Sequence, residues 1–179
     1  MNVVFLSPHF PPNFFNFCVS LRQRGITVLG IADANFHELR PELQGALNEY
    51  YKVNNMHNYD ELVQAMNYLT NKYGKIDRID SQNEYWLETE AKLRTQFDIF
   101  GIKNDTIESI RRKSKMKQLF KAAGVACADG IVASTLDEAK KFIAKVDYPF
   151  IAKPYRGVGA ADTYKINDLQ ELEQFFKKK

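Results

Sequence analysis

The chain opens on a short continuous apolar run, NVVFLS, and repeats the theme at ITVLGIAD. Runs of this length with no polar face suit parallel strands buried on both sides. YYKV is a weaker run of the same kind, IDRIDS a fourth and DIFG a short fifth. Between them apolar residues recur at helical spacing. Phe14, Cys18 and Leu21 share one face of a helix that starts at Pro12 or Asn13 and ends at Gly25, proline being tolerated in a first turn and glycine favoured just past a last one. YDELVQAMNYLTNKYG is a helix with Asn58 as its cap and Asp60 and Glu61 in its first turn, where carboxylates suit the dipole. WLETEAKLRTQF is another. Strands alternating with helices predict an α/β domain, a doubly wound parallel sheet over roughly Met1 to Gly101 within residues 1–103.

The pattern then changes. NDTIESIRRKSKMKQLFKAAG is helical throughout and basic, ending at Gly124. GIVAS is a strand, TLDEAKKFIAKV a helix capped by Thr135, PFIAKP and ADTYKI are strands, and NDLQELEQFFKKK is a last amphipathic helix. A second, α+β unit therefore occupies residues 104–179. Internal repeats and low-complexity segments are absent.

Composition narrows the classes. Of 179 residues 45% are apolar, enough for a core, and 25 basic against 22 acidic residues give a net charge of +3. That balance demands neither nucleic acid nor a membrane as partner. Two cysteines, Cys18 and Cys127, give no disulfide framework. The start MNVVFLSPHFPP lacks a basic lead and a long apolar stretch, so no signal peptide is expected, and no run is long enough to span a bilayer. A soluble cytoplasmic protein is the expectation.

Ligands of a doubly wound sheet sit beyond the carboxyl ends of its strands. Ser7 to Asn13, Asp33 to His37 and Ser81 to Tyr85 are the loops at those ends. Asn83 and Glu84 contact a ligand there, or they start a helix, Asn83 as cap and Glu84 and Glu88 against its dipole. His9 either meets an anion near a helix N-terminus or is a structural loop histidine. The three histidines, His9, His37 and His57, give no zinc spacing, and no metal site is expected within the chain. Walker, G-x-G-x-x-G and G-x-S-x-G motifs are missing.

Two basic features remain. Lys113, Lys117 and Lys121 share one helix face opposite Met116, Leu119, Phe120 and Ala123; a solvated face is the plain reading, and a nucleic-acid patch would want interleaved aromatics. Lys153 follows the apolar Phe150, Ile151 and Ala152. An ammonium at the end of a buried strand is costly unless it meets an anion or reaches water. The following YRGVGA can bring backbone N–H groups close to a ligand, because Gly157 and Gly159 tolerate positive φ. Together they suit a polyphosphate; a plain hairpin with a surface lysine is the alternative.

An α/β domain, then RKSKMKQLFKAAGVACADGIVAS, then YPFIAKPYRGVGAADTYKI resembles the ATP-grasp superfamily, over nearly the whole chain and most specifically from Lys113 to Ile166. The resemblance implies a Rossmann-like pre-ATP-grasp domain followed by a partial ATP-grasp lid subdomain. It implies that Lys113 and Lys153 are the two nucleotide lysines and that Arg156, Gly157, Val158, Gly159 and Ala160 belong to the loop over the phosphates. His9, Asn83 and Glu84 would then border the substrate site. Arg112 departs from the family's usual aspartate, and the loop is less glycine-rich than in other members. The implied parent reaction is ATP-dependent activation of a small carboxylate as an acyl phosphate, then attack by an amine, with ATP and Mg2+ as cofactors and a second copy of the chain as a candidate partner. Only thirteen residues follow Ile166, so the magnesium ligands are expected beyond residue 179 and the chain alone is expected to be inactive. The rival expectation is a nucleotide-binding or regulatory module that never catalyses, or a subunit completed by a partner chain.

Overall fold

The computed structural model describes residues 1–155 and 162–178. Contacts divide the chain into two units, Met1–Ile107 and Glu108–Lys179.

The first unit is a four-stranded parallel sheet. Strands β1 (Asn2–Leu6), β2 (Thr27–Ala32), β3 (Glu49–Lys52) and β4 (Arg78–Asp80) lie in the order β3-β2-β1-β4. In register, Val4 faces Leu29 on one side and Ile79 on the other. Period-two alternation sends Val4, Leu6, Leu29 and Ile31 to one face, where they meet Leu62, Met66 and Leu69 of helix α3 (Tyr59–Tyr73) and Leu93 of a later helix. Phe5 and Val28 point to the other face, against Cys18 of α1 (Phe15–Gln23) and Leu43 and Ala46 of α2 (Pro41–Ala46). Both faces are covered, which is why these strands read as continuous apolar runs.

Local chemistry sets the boundaries. Asn58 caps α3 by accepting the Asp60 N–H at 3.2 Å. Helix α2 was not read from the sequence, although Pro41 at its first position is a helix-start signal. Asn83 precedes a 3-10 turn, Glu84–Trp86, which runs into α4 (Leu87–Gln96). DIFG is not a fifth strand. Asp98 at φ 48° and Gly101 at φ 136° turn the chain too sharply for one; Ile99 is buried in the core while Phe100 is exposed under the Arg78 guanidinium.

The expected single helix over 104–124 is two, α5 (Asn104–Arg111) and α6 (Lys113–Ala122). The break falls at Arg112, extended at φ −99°, ψ 111°, where its side chain pairs with Glu108 and lies 5.7 Å from the Tyr155 ring. Helix α7 (Leu136–Val146) starts with a reciprocal cap between Thr135 and Glu138. Strands β5 (Phe150–Ala152) and β6 (Tyr164–Ile166) pair antiparallel and are followed by α8 (Leu169–Lys177). Phe150, Ala152 and Ile166 pack with Ala139, Ile143 and Leu172 of α7 and α8. Strand β5 is therefore not buried on both sides. A two-stranded ribbon with helices on one face leaves the other open, and Ile151 is 55% exposed. GIVAS is not a strand either: β5 and β6 pair only with each other among the described residues, so Ile131 and Val132 have no ladder to join.

Candidate functional site

The strand order changes direction at β1, with β2 on one side and β4 on the other. Open parallel sheets place ligands beyond the strand ends at such a point. The adjacent strands β1 and β4 are each followed by a left-handed non-glycine residue, Ser7 at φ 49° and, two residues past β4, Gln82 at φ 56°. Such conformations persist where the surroundings enforce them. At Ser7 the N–H continues the ladder to the Ile31 carbonyl at 2.9 Å. At Gln82 the N–H donates to Asp80 Oδ1 at 2.8 Å.

Of the residues expected here, Asn83 is a cap: its Oδ1 accepts the Tyr85 N–H at 3.0 Å. Glu84 begins the 3-10 turn. His9 lies in the loop after β1 and lines an open cleft of about 600 Å³ with Pro12, Ala34, Leu39 and Arg40. Burial pushes its imidazole below the usual range, against a smaller opposite pull from Asp33, and its Nδ1 is buried without a hydrogen-bond partner. A neutral His9 is a poor anion anchor; the cation of this cleft is Arg40, held by Glu42 at 3.3 Å and stacked 3.9 Å over Phe15. The cleft is walled by the loops after β1 and β2, and Asn83 and Glu84 do not line it.

In the second unit the two expected nucleotide lysines stand one and two residues from side chains that touch. Lys113 is the first residue of α6, and Lys153 is exposed just past β5. One residue after Lys113, the Ser114 hydroxyl bonds the hydroxyl of Tyr155, two residues after Lys153, at 3.4 Å. That bond, and then the Arg112 guanidinium, hold the Tyr155 hydroxyl below its usual pKa. The N-cap Arg112 makes no side-chain cap bond and the first turn of α6 has no acid, which leaves the positive end of the helix dipole uncompensated by its own residues. Lys117 and Lys121 serve locally: Lys117 Nζ donates to the Ala128 and Asp129 carbonyls at 2.7 and 3.1 Å, and Lys121 pairs with the Asp129 carboxylate at 2.7 Å. The expected apolar side of α6 packs against little; none of its residues is buried. Arg156, Gly157, Val158, Gly159 and Ala160 lie outside the described residues.

No protein-family model matches the chain. Among curated proteins it is similar to the L-arginine-specific L-amino acid ligase of Bacillus subtilis, 31% identical over 105 residues, 59% of this chain and 25% of that enzyme. It is also similar to the carbamoyl phosphate synthase large chain of Thermoanaerobacter sp. (strain X514), 27% identical over 89 residues, 50% of this chain and 8% of that one. Among solved structures, the L-amino acid ligase from Bacillus licheniformis superposes with a TM-score of 0.70 at 19% identity over 99% of this chain and 41% of that one. The biotin carboxylase domain of the Hydrogenobacter thermophilus 2-oxoglutarate carboxylase, a dimer in complex with MgADP, ADP and bicarbonate, does so with a TM-score of 0.74 at 18% identity over 99% and 40%. The relatives and structural neighbours of this chain are ATP-grasp ligases.

The chain spans a quarter of the first of these ATP-grasp relatives and about two fifths of the solved chains. Lys113, Lys153 and the start of α6 fit the charge of a polyphosphate. A magnesium ion is another matter: among the described residues no cluster of three or more His, Cys, Asp or Glu side chains could hold a metal. No described helix is long and apolar enough to cross a membrane. One feature of the first unit escaped the sequence reading, the buried Glu90–Arg94 pair of α4 at 2.8 Å. Its signal was present. On a helix starting near Trp86, positions 86, 90, 93, 94 and 97 form the inward stripe, and two of those five are charged.

Proposed function

We propose that this chain is the N-terminal part of an ATP-dependent carboxylate–amine ligase: a Rossmann-like pre-ATP-grasp domain, residues 1–103, followed by the first part of the ATP-grasp domain. The observation that carries the nucleotide assignment is the Ser114–Tyr155 contact, which joins the start of α6, with Lys113, to the exit of β5, with Lys153. The two ammonium groups and the N-terminal amides of α6 neutralise the polyphosphate. Arg156 to Ala160 complete the grip as the loop over the phosphates. The loops after β1 and β4, with His9, Asn83 and Glu84, border the carboxylate or amine.

ATP, when bound, would supply the phosphoryl group that turns the carboxylate into an acyl phosphate, a mixed anhydride, with ADP departing. The amine then attacks the carbonyl carbon, phosphate departs and the amine loses a proton. The chain's own residues bind and orient; the magnesium ligands and the full reaction belong to the whole ligase, and the 179 residues alone bind nucleotide without turning it over. The names of the relatives favour amino acids as the substrate class. Cytoplasmic placement and homodimer formation are parts of the same reading.

Chemical-shift mapping with ADP tests the nucleotide assignment. Perturbed amides should cluster at Lys113 to Lys115 and at Ala152 to Tyr155, with α8 silent. An ADP response confined to the first unit, or none at millimolar nucleotide, would overturn it.

A further inference from the structure

Glu90 and Arg94 stand one turn apart on α4, 1% and 6% exposed. An ion pair taken out of water gains little net stability, and apolar side chains of similar volume often serve as well or better. What the pair supplies that two methionines would not is direction. Arg94 Nη2 donates to Glu90 Oε2 at 2.8 Å and to the Ile79 carbonyl of β4 at 2.6 Å. Its Nη1 reaches the Ile102 carbonyl at 3.4 Å. The other carboxylate oxygen, Glu90 Oε1, accepts from Ser81 Oγ at 2.5 Å. The Asn83 carbonyl is a second, longer acceptor for the same hydroxyl at 3.2 Å, and Ser81 Oγ accepts the Asn83 N–H at 3.1 Å. Asn83 in turn caps Tyr85, so Glu84 stands between two pinned neighbours. Gln82, at φ 56°, is the turn this bonding encloses.

We propose that the Glu90–Arg94 pair is a positioning device for the Ser81–Tyr85 loop, setting through Ser81 the backbone that carries Glu84. The functional part of this inference rests on reading that loop as a border of the substrate site; the geometric part does not. Neither residue is assigned contact with a ligand.

Residue-resolved amide exchange on the 179-residue chain tests it with three variants: Glu90→Gln, Glu90→Met, and Glu90→Met with Arg94→Met. The double variant removes the stranded charge that could unfold Glu90→Met. Expected in the double variant is exchange at least about tenfold faster at Asn83 and Tyr85, with Val4 and Leu29 unchanged. Glu90→Gln keeps an acceptor for Ser81 and should restore most of the protection, which a merely space-filling role would not require. Unchanged exchange at Asn83 and Tyr85 in the double variant, or a Glu90→Gln loop as loose as the double variant's, would overturn the positioning role. If exchange responds as expected while Glu84→Gln leaves the reaction of the whole ligase unaltered, the substrate reading of the loop fails and the positioning role stands.

Discussion

Gly101→Ala should be among the most damaging small substitutions in the first unit. Gly101 stands at φ +136°, and a Cβ there would lie 2.9 Å from both Cδ and Nε of Arg94. A flexible arginine usually swings aside, but Arg94 is 6% exposed and tied to Glu90, Ile79 and Ile102. The backbone strain costs about 1–3 kcal/mol, and crowding a side chain that cannot yield adds about 1–3 kcal/mol. At roughly 4–8 °C per kcal/mol for a unit of this size, the midpoint should fall by at least about 8 °C. Trp86, the single tryptophan, belongs to the first unit, so its emission during heating reports that unit alone. Gly45→Ala is the control: it lies within α2 with no atom within 4 Å of its Cβ and should stabilise by about 0.5–1 kcal/mol. A Gly101→Ala midpoint within about 3 °C of the original, or equal to that of Gly45→Ala, would refute the reasoning.

Acid should weaken the first unit partly through His9. Its folded pKa is depressed below 6.5 by burial, so the unfolded chain takes up the proton first as pH falls; the contribution is complete above the unfolded value and is lost below it. The drop in urea midpoint between pH 7.5 and pH 5 should be smaller in His9→Asn, and an equal or larger drop would contradict this. Thr135→Ala removes the acceptor of the Glu138 N–H at 3.2 Å and should cost about 1 kcal/mol. Amide exchange in α7 should then quicken roughly fivefold with the first unit unchanged; an unaltered α7 would show that the cap contributes nothing.

Where the sequence could be read, one pattern had one physical solution. VVFL and VLGIA carry no polar side chain because helices cover both faces of their sheet. Asn58 and Thr135 were legible as caps because the helices they begin place polar oxygens at orphan N–H groups. DIFG and GIVAS failed because an apolar run does not say whether a neighbour offers a ladder. Ile99 is instead a core plug in a bend, and Ile131 and Val132 lie exposed. The break at Arg112 was not visible in the helical pattern; the Tyr155 ring that its guanidinium approaches at 5.7 Å is far away in sequence. For the site, Lys113 and Lys153 were named through the family resemblance, but the Ser114–Tyr155 bond beside them was not legible. The costly buried strand imagined before Lys153 proved to be a ribbon open on one side, so that lysine reaches water without penalty, and phosphate must be argued from its neighbours.

The most direct measurement is calorimetric titration of ATP into the unmodified chain, Lys153→Ala and Lys178→Ala. Lys153 should make a charge-assisted bond to phosphate worth about 1.5 kcal/mol or more, so Lys153→Ala should bind at least about tenfold more weakly. Lys178 lies just past the end of α8, and Lys178→Ala should bind like the original. Binding by Lys153→Ala within about twofold of the unmodified chain would contradict the phosphate role and return the segment around Lys153 to a plain hairpin.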